Sequence, residues 1–460
     1  MINHNLGDTI AAISTPIGEG GIGIVRLSGR KALSICDKVF IPAAGKKPSG
    51  FKTYTTHYGT IVKDGKVIDE VILTVMRAPK SYTREDVAEI NCHGGIVALR
   101  DTLNLVLDQG ARLAEPGEFT KRAFLNGRID LTQAEAVLDI IRARTDSALK
   151  MGIEQLRGGL SGRINKHRES LLGILVELEA SIDFPEEEIS ISGLKSISNR
   201  IVEIEKGLEE LIRGSKLARM LREGIHVVIC GKPNVGKSSL LNALLQEERS
   251  IVTHIAGTTR DAIEEIIDIK GIPVRIVDTA GILEPRDLVE KKAVKRSQEH
   301  ITAADLVLII FDGSRRLARE DLFLISRLKK KKAIVLINKI DLKQKIEREK
   351  LEKSFQNIIG ISAKKTKNID KLEEMIADLV YGGSIVSSES LLVANLRYIR
   401  ALQKAKIAIA QAQSSLDNNL SAEFIAQGIK EGVEALDEIL GKRFSEDLLD
   451  KIFSEFCIGK

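Results

Sequence analysis

The chain has 460 residues, a formal net charge of +5, 43% apolar residues and 29% charged residues. A chain of that length is too long to fold around a single hydrophobic core, so two to four domains are expected. The composition is that of a soluble protein, and no apolar run reaches the roughly 20 residues that cross a bilayer. The N-terminus shows no secretory signal. The net charge permits an RNA partner without requiring one.

The four cysteines, Cys36, Cys92, Cys230 and Cys457, are widely separated and form no CxxC pair. This spacing argues against a zinc knuckle or a disulfide framework. Free thiols are typical of a reducing compartment, so the sequence predicts a cytoplasmic protein without a membrane association.

The first region, residues 1–120, is rich in turns and β-branched segments between Gly and Pro residues. Such segments predict short strands, here at Thr9–Thr15, Gly23–Leu27 and Val67–Val75.

A glycine-rich stretch, residues 18–23, fits the dinucleotide pattern G-x-G-x-x-G. That pattern binds pyrophosphate only when a helix begins at its glycines. The strand-like Ile24–Leu27 follows instead. We therefore interpret the stretch as a connection between two strands and reject a nicotinamide-dinucleotide site.

From residue 121 onward apolar residues recur with the spacing of helices. Alternating β and α segments interrupt this helical pattern from about 224 to 381. Three helical faces show the spacing: Leu131, Ala134, Leu138 and Ile141; Leu171, Leu175, Leu178 and Ile182; and Ile425, Ile429, Leu436 and Leu440. We predict a discontinuous helical-bundle domain, 121–217 and 385–460, with the domain 218–384 inserted in it. Two separate helical domains are the alternative.

The inserted block opens with a phosphate-binding loop. The apolar run His226–Cys230 is typical of a strand buried on both faces, and Gly231–Ser238 then completes G-x-x-x-x-G-K-S. The glycines let backbone N–H groups surround phosphates, Lys237 reaches the β/γ oxygens and Ser238 ligates Mg²⁺. A predicted helix, Ser239–Leu245, supplies the required context.

Three further motifs follow predicted strands. Asp278–Gly281 is a DTAG segment after Val274–Val277, where an aspartate near Mg²⁺ and an N–H near the γ-phosphate belong. Asn338–Asp341 has the NKxD form after the strand Ala333–Ile337. Its carboxylate accepts from guanine N1–H and N2–H₂, a donor pair that adenine lacks.

The third motif is Ser362–Lys364, a guanine-stabilising loop after the strand Ile358–Ile361. The order of the four motifs predicts a Ras-like GTPase. The lysine run 329–332 is interpreted as the last turn of a helix, where its charge complements the helix dipole, rather than as a phosphate-binding patch.

The residue directly after the DTAG segment differs from the one that Ras-like enzymes use in hydrolysis. Ras-like enzymes place a glutamine directly after DTAG to orient the attacking water, and this chain has Ile282 there. Either hydrolysis is poor or another group positions the water. The Asn234 amide, together with carbonyls of the segment 252–261, is a candidate ligand set for a monovalent cation. Thr259 is a candidate to complete the Mg²⁺ shell.

The whole chain resembles the TrmE-type (MnmE) family of bacterial tRNA modification GTPases. The resemblance rests on the phosphate-binding loop with its Asn234, on Gly257–Asp261 and Asp278–Ile282, on Ser181–Glu187 and on the ending Phe456–Lys460. It implies a multidomain α+β fold with an N-terminal α/β folate-binding and dimerisation domain, a helical domain and an inserted Ras-like α/β G domain.

The resemblance also implies K⁺ on Asn234, Thr253, Ile255 and Thr258, and Mg²⁺ on Ser238 and Thr259. It implies that Glu290 positions the water, so Glu290, Asn234 and Lys237 are the catalytic candidates. The predicted GTP-binding residues are Asn234, Val235, Gly236, Lys237, Ser238, Ser239, Thr253, His254, Ile255, Ala256, Gly257, Thr258, Thr259, Asp278, Thr279, Ala280, Gly281, Asn338, Lys339, Asp341, Ser362, Ala363 and Lys364.

A formyl- or methylene-tetrahydrofolate is implied in the N-terminal domain, on Arg26, Glu89, Arg128 and Lys460. The family has Lys where Arg128 stands, which keeps the charge but changes its geometry. The ending Cys457–Lys460 has CaaX spacing, but its final Lys argues against prenylation. Cys457 is a candidate nucleophile toward the uridine ring.

The function implied is modification of the wobble uridine of certain tRNAs at C5. A homodimer would act with an FAD-containing partner, MnmG (GidA), in a heterotetramer, and would install an aminomethyl or carboxymethylaminomethyl group from the folate one-carbon unit. GTP hydrolysis would drive opening and closing of the G domains. The alternatives are a ribosome-assembly GTPase, which predicts a KH domain after the G domain, and a folate one-carbon enzyme with a regulatory G domain.

Overall fold

A computed structural model of the protein describes residues 7–184, 191–247, 265–278, 299–382 and 393–460. The chain divides into two compact units. The first unit comprises Met1–Leu138, Gln155–Glu187 and Ser421–Lys460, and the second comprises Asp139–Glu154 and Glu188–Leu420. The boundaries at 121, 218 and 385 that the sequence suggests stay predictions. No helix in these described ranges has the length and apolar composition needed to cross a membrane.

The first unit contains a seven-stranded sheet of order β3-β4-β5-β6-β2-β1-β7. The strands are β1 (Ile10–Ile13), β2 (Gly23–Ser28), β3 (Phe40–Pro42), β4 (Thr55–Lys63), β5 (Lys66–Met76), β6 (Val87–Cys92) and β7 (Arg112–Leu113). Neighbouring strands are antiparallel except for β1 with β7. The three strands predicted from the sequence are confirmed. The antiparallel pairing of β1 with β2 also confirms that residues 18–23 connect two strands.

Helices before the second sheet are α1 (Ala32–Val39), α2 (Ile96–Asp108), α3 (Glu118–Leu125), α4 (Leu131–Arg142), α5 (Asp146–Leu156), α6 (Gly159–Asp183) and α7 (Ile191–Glu223). Alternate residues of the strands and one face each of α1 and α2 form the buried core of the N-terminal sheet. The packing follows from period-2 alternation in the strands and 3.6-residue spacing in the helices.

The second unit contains a six-stranded sheet of order β13-β12-β11-β8-β10-β9. Its elements are β8 (Ile225–Cys230), α8 (Lys237–Glu247), β9 (Glu265–Ile269), β10 (Ile272–Asp278), β11 (Leu306–Asp312), α9 (Arg319–Leu328), β12 (Ala333–Asn338), α10 (Arg348–Glu352), β13 (Ile358–Gly360) and α11 (Ile369–Tyr381). Only the β9–β10 pair at one edge is antiparallel among these described strands. This arrangement confirms the Ras-like α/β prediction.

The central strands of this sheet are apolar because both of their faces are covered. Side chains of β8 and β11 alternate between two buried clusters, one on each side of the sheet. Because β8 and β11 are parallel neighbours, their carboxyl ends lie at the same edge of the sheet, where the loops gather. The lysine run 329–332 follows α9, which ends at Leu328, so its placement in the last helical turn was wrong. Lys332 Nζ donates to the Leu379 carbonyl at 2.7 Å, which is a structural contact.

Three helices close the chain: α12 (Leu396–Asp417), α13 (Ala422–Leu440) and α14 (Glu446–Phe453). Within the first unit α13 packs along α6, and within the second unit α12 packs along α7. The predicted apolar face of α13 is buried, since Ile425, Ile429, Leu436 and Leu440 are at most 3% exposed. A helical segment follows the G domain, as the sequence texture indicated.

Candidate nucleotide site and Arg26 cluster

The phosphate-binding loop lies between the end of β8 and the start of α8. Lys237 Nζ donates to the carbonyls of Gly231 and Lys232 at 3.0 Å each, so its ammonium group lies over the loop. Gly236 has φ +105°, and a Cβ there would overlap Asn338 Nδ2. Ser238 and Ser239 are exposed in the first turn of α8, where backbone N–H groups and the helix dipole favour an anion.

Asn338 braces this loop against the guanine-stabilising loop. Its Nδ2 donates to the Val235 carbonyl at 2.8 Å, and its Oδ1 accepts from Ala363 N at 3.0 Å. The residue is 3% exposed. Asn338 therefore holds the two loops together, and its role in GTP binding stays a prediction.

Asp341 is the carboxylate that the NKxD pattern predicts to bind the base, and it is exposed. Its Oδ1 accepts from Ser362 Oγ at 2.7 Å. This hydrogen bond is the main cause that lowers the Asp341 pKa, and Lys365 and Lys364 add to the effect. The group is therefore a carboxylate at neutral pH, as acceptance from guanine N1–H and N2–H₂ requires.

Lys339 joins the same site through a residue that the sequence motifs missed. Its Nζ donates to Asp312 Oδ2 at 2.6 Å and to the Asn234 carbonyl at 3.0 Å. Asp312 is the last residue of β11. The signal in the sequence was an aspartate at the end of the apolar run 306–311.

Several predicted site residues lie outside the described residues. They are Thr253, His254, Ile255, Ala256, Gly257, Thr258, Thr259, Thr279, Ala280, Gly281 and Glu290. Asp278 is the last residue of β10, parallel to β8. The structure thus brings together the phosphate-binding, guanine-binding and stabilising loops, which carry the predicted residues from 234 to 239, from 338 to 341 and from 362 to 364.

The first unit holds a second group of predicted residues, which we name the Arg26 cluster: Arg26, Tyr82, Glu89, Phe119, Arg128 and the tail, residues 457–460. Arg26 and Glu89 face each other on β2 and β6, with Arg26 Nε donating to Glu89 Oε1 at 2.8 Å. Arg26 Nη1 also donates to the Gly459 carbonyl at 3.2 Å. Its guanidinium carbon lies 5.6 Å from the centre of the Phe119 ring.

Tyr82 connects Arg128 to this cluster and was not predicted. The Arg128 guanidinium carbon lies 4.7 Å from the centre of the Tyr82 ring, within cation–π range. The Tyr82 hydroxyl and Thr120 Oγ1 are 3.0 Å apart. Burial raises the Tyr82 pKa, and the Thr120 hydrogen bond and the charges of Arg128 and Arg26 only partly offset it, so the phenol is neutral.

The tail is an ordered part of the first unit. Ile458 forms an antiparallel bridge with Pro116, and the Lys460 carbonyl accepts from Phe119 N at 3.1 Å. Gly459 has φ +95°, and a Cβ there would overlap the Ile13 carbonyl. Cys457 is exposed. The four predicted folate residues, Arg26, Glu89, Arg128 and Lys460, thus belong to one region built by distant segments.

A buried ion-pair network lies on α3, the helix that carries Phe119. Arg122 is 3% exposed at its side chain and pairs with Asp8, Glu85 and Glu118. Arg112 pairs with Asp8 and Glu118 at 2.8 and 2.6 Å. Burial alone would raise the pKa of Asp8 and Glu118, but hydrogen bonds from the two arginines outweigh it and lower both pKa values.

Comparison with known families covers nearly the whole chain. The family described as GTP-binding protein TrmE N-terminus matches residues 9–128, and the MnmE helical domain family matches residues 131–457.

Individual relatives match along their full length. The tRNA modification GTPase MnmE of Clostridioides difficile (strain 630) is 48% identical over 99% of this chain and 100% of its own. The Bacillus subtilis (strain 168) protein of the same name is 46% identical over 98% of this chain and 100% of its own. These matches confirm the resemblance that the motifs indicated, and the chain belongs to the MnmE (TrmE) family of tRNA modification GTPases.

Proposed function

We propose that this protein hydrolyses GTP as part of modifying the wobble uridine, position 34, of certain tRNAs at C5. With an FAD-containing MnmG (GidA) partner it installs an aminomethyl or carboxymethylaminomethyl group from a tetrahydrofolate one-carbon unit. The observation that carries this proposal is full-length kinship with tRNA modification GTPases. The nucleotide site and the Arg26 cluster, present in one chain, support it. We propose the cytoplasm as its location.

The phosphate-binding loop would act by electrostatics and positioning. Lys237 Nζ would exchange the carbonyls of Gly231 and Lys232 for the β/γ oxygens of GTP. The exposed N-terminus of α8 presents backbone N–H groups to the same phosphates. Asp341 would select guanine, and Asn338 would hold the two loops that enclose it.

Two cations are part of the proposal. The exposed Ser238 hydroxyl is a hard oxygen donor that fits Mg²⁺, and Thr259 would complete that set. The exposed Asn234, in a loop of carbonyls, fits K⁺, with Thr253, Ile255 and Thr258 as further ligands. When bound, these cations would supply positive charge that stabilises the phosphates. Glu290 would orient the attacking water, since Ile282 is unable to do so.

The hydrolytic part is tested by GTP turnover in two salts and by one variant. Turnover in KCl is expected to exceed turnover in NaCl strongly, and Glu290→Ala is expected to stop hydrolysis while nucleotide affinity stays nearly intact. Equal rates in the two salts would remove the K⁺ role. An unchanged rate in Glu290→Ala would reject the role of Glu290 in positioning the attacking water.

The Arg26 cluster is the proposed folate site. Arg26 and Arg128 offer guanidinium groups to a carboxylate-bearing ligand, and the aromatic rings of Tyr82 and Phe119 offer flat apolar surfaces to a pterin or benzoyl ring. Glu89 would accept from pterin N–H groups. Cys457, an exposed member of this cluster, is the candidate nucleophile toward the uridine ring.

The decisive experiment is nucleoside analysis of tRNA from cells that lack this protein. We expect the C5-modified wobble uridines to disappear and to return when the wild-type chain is supplied. Unchanged wobble uridines would reject the tRNA function. A homodimer that forms a heterotetramer with MnmG is expected when the two proteins are mixed and their mass in solution is measured.

A further inference from the structure

We propose that Asp312 is a positioning residue: through Lys339 it fixes the backbone of Asn234 and so aims the Asn234 amide at the nucleotide phosphates. Asp312 lies outside all four sequence motifs. The inference rests on the proposed cation role of Asn234 and deepens it, because it names what holds that residue in place.

The contacts form one continuous chain of hydrogen bonds. Asp312 Oδ2 accepts from Lys339 Nζ at 2.6 Å, and the same Nζ donates to the Asn234 carbonyl at 3.0 Å. Asp312 Oδ1 accepts from the backbone N and the Oγ of Ser314 at 2.9 and 2.6 Å. Both carboxylate oxygens are thus held, and the Lys339 ammonium group is held from two sides.

Asp312 carries a negative charge that holds the Lys339 ammonium group in place. Its side chain is 10% exposed. Burial would raise the Asp312 pKa, but hydrogen bonds from Lys339 and Ser314 outweigh that effect and lower it, so the group is ionised at neutral pH. Arg315 Nε lies 3.9 Å away on a side chain that is 82% exposed, where solvent screens it. Lys339 is therefore the main partner of this charge.

Backbone conformation shows why Asn234 needs such a partner. Asn234 and Lys339 both have φ +64°, in the left-handed region. Residues with a Cβ adopt that region at a free-energy cost, so surrounding contacts must maintain it. The Lys339 ammonium group fixes the Asn234 carbonyl, and with it the direction in which the Asn234 side chain leaves the loop. Without the Asp312 charge, Lys339 would lose its anchor.

The test replaces Asp312 by Asn, which keeps the shape and removes the charge. We expect the K⁺ concentration for half-maximal GTP turnover to rise roughly tenfold, the scale of one lost charged hydrogen bond. Release of a fluorescent GDP analogue, which needs no turnover, is expected to accelerate by a similar factor. Preference for GTP over XTP is expected to stay unchanged, because Asp341 remains.

A matched control is Asp305→Asn, before the opposite end of β11. Asp305 accepts from His226 N at 2.9 Å and lies away from the nucleotide loops. It is expected to leave the K⁺ requirement and GDP release unchanged, whereas the melting temperatures of both variants should fall by similar small amounts. Equal effects of the two substitutions on K⁺ and GDP release would overturn the positioning role.

Unchanged K⁺ half-saturation and unchanged GDP release in Asp312→Asn would also overturn it. If the wild-type chain turns over GTP equally in KCl and NaCl, the cation role of Asn234 fails. In that case GDP release alone decides whether Asp312 positions Lys339. The two failures are thereby distinguishable.

Discussion

The nucleotide site and the Arg26 cluster differ in how the chain assembles them. Parallel strands β8, β11 and β12 deliver the nucleotide loops to one sheet edge, and each loop is a short contiguous segment. The Arg26 cluster instead gathers single side chains from β2, β6 and α3 and the tail, and Arg26 and Gly459 are 433 positions apart.

The difference teaches which physical forces each site depends on. The nucleotide loops rely on backbone conformation, with glycine where a Cβ does not fit and N–H groups directed at an anion. The Arg26 cluster relies on ion pairs and on docking of the tail. We therefore expect the first site to be sensitive to backbone changes and the second to be sensitive to the tail. The ion pairs of α3, the helix that carries Phe119, are expected to be sensitive to acid.

The largest expected effect comes from Gly236→Ala. The left-handed φ of +105° and the overlap with Asn338 Nδ2 both oppose a Cβ. We expect GDP affinity to fall about 100-fold or more, since backbone strain alone costs about 1–3 kcal/mol, as measured by equilibrium titration with fluorescent GDP.

Gly382→Ala is the control for Gly236→Ala, because Gly382 has φ +63° but nothing within 4 Å of a Cβ. Gly382 lies at the C-terminal end of α11, outside the nucleotide loops, so the backbone cost there should lower stability while GDP affinity stays near the wild-type value. If Gly236→Ala binds GDP as well as Gly382→Ala does, loop geometry is not what the nucleotide site depends on.

Asp341→Asn is expected to have the next largest effect. Loss of the charged acceptor for guanine N1–H and N2–H₂ should weaken GDP binding roughly 10- to 100-fold. The new amide donor should improve XDP binding, because xanthine carries a carbonyl where guanine carries an amino group. Competition of GDP against XDP measures both changes, with exposed Asp370→Asn as the control. An unaltered base preference would contradict the assignment of Asp341.

Gly459→Ala tests the Arg26 cluster. A Cβ at Gly459 would overlap the Ile13 carbonyl, so the tail should detach and free the bond from Arg26. We expect affinity for 5-formyltetrahydrofolate, measured by calorimetry, to fall about tenfold while GDP affinity stays constant. Cys457→Ser, at an exposed position of the same tail, should leave both affinities unchanged. Full folate affinity in Gly459→Ala would separate the tail from the site.

The smallest expected effect is the acid sensitivity of the ion pairs among Arg122, Arg112, Asp8, Glu85 and Glu118, which we name the Arg122 network. The folded pKa values of Asp8 and Glu118 lie below their ordinary values of 3.8 and 4.5. Their stabilisation is therefore fully present above about pH 4.5 and is lost as pH falls through the lowered values. The contribution of these two carboxylates to the melting temperature should be constant from pH 8 to 5. The melting temperature should then fall below about pH 4.

Glu118→Gln provides the comparison for this acid effect. It should lower the melting temperature at pH 7 by breaking a buried pair and should reduce the further loss on acidification. If wild type and Glu118→Gln lose stability in parallel below pH 4, the Arg122 network is not the acid-sensitive element.

The sequence predicted the nucleotide site because its chemistry is contiguous. The strands β8, β10, β12 and β13 and the helix α8 were found within a few residues, since apolar runs and glycine loops determine them locally. Asp312 was not predicted because, unlike Asp278, it ends its strand outside any recognised motif. Its role depends on the parallel pairing of β11 with β12, which places it beside Lys339.

Prediction of the Arg26 cluster from residues alone failed for a different physical reason. Arg26 in a strand has the properties of an ordinary surface residue, and only antiparallel pairing of β2 with β6 brings Glu89 opposite it. Tyr82 and Phe119 carry no pattern at all. The family resemblance supplied Arg26, Glu89, Arg128 and Lys460, but it did not supply the aromatic rings between them.

The docking of Gly459 and Ile458 has a consequence for synthesis. A ribosome makes about 5–20 residues per second, so the 433 positions between Arg26 and Gly459 take roughly 20–90 s to appear. During that time the N-terminal sheet lacks the contact between Arg26 and Gly459, while the intervening nucleotide-binding sheet is synthesised and folds. A chain that lacks residues 457–460 would thus keep its GTP loops but lack a complete Arg26 cluster.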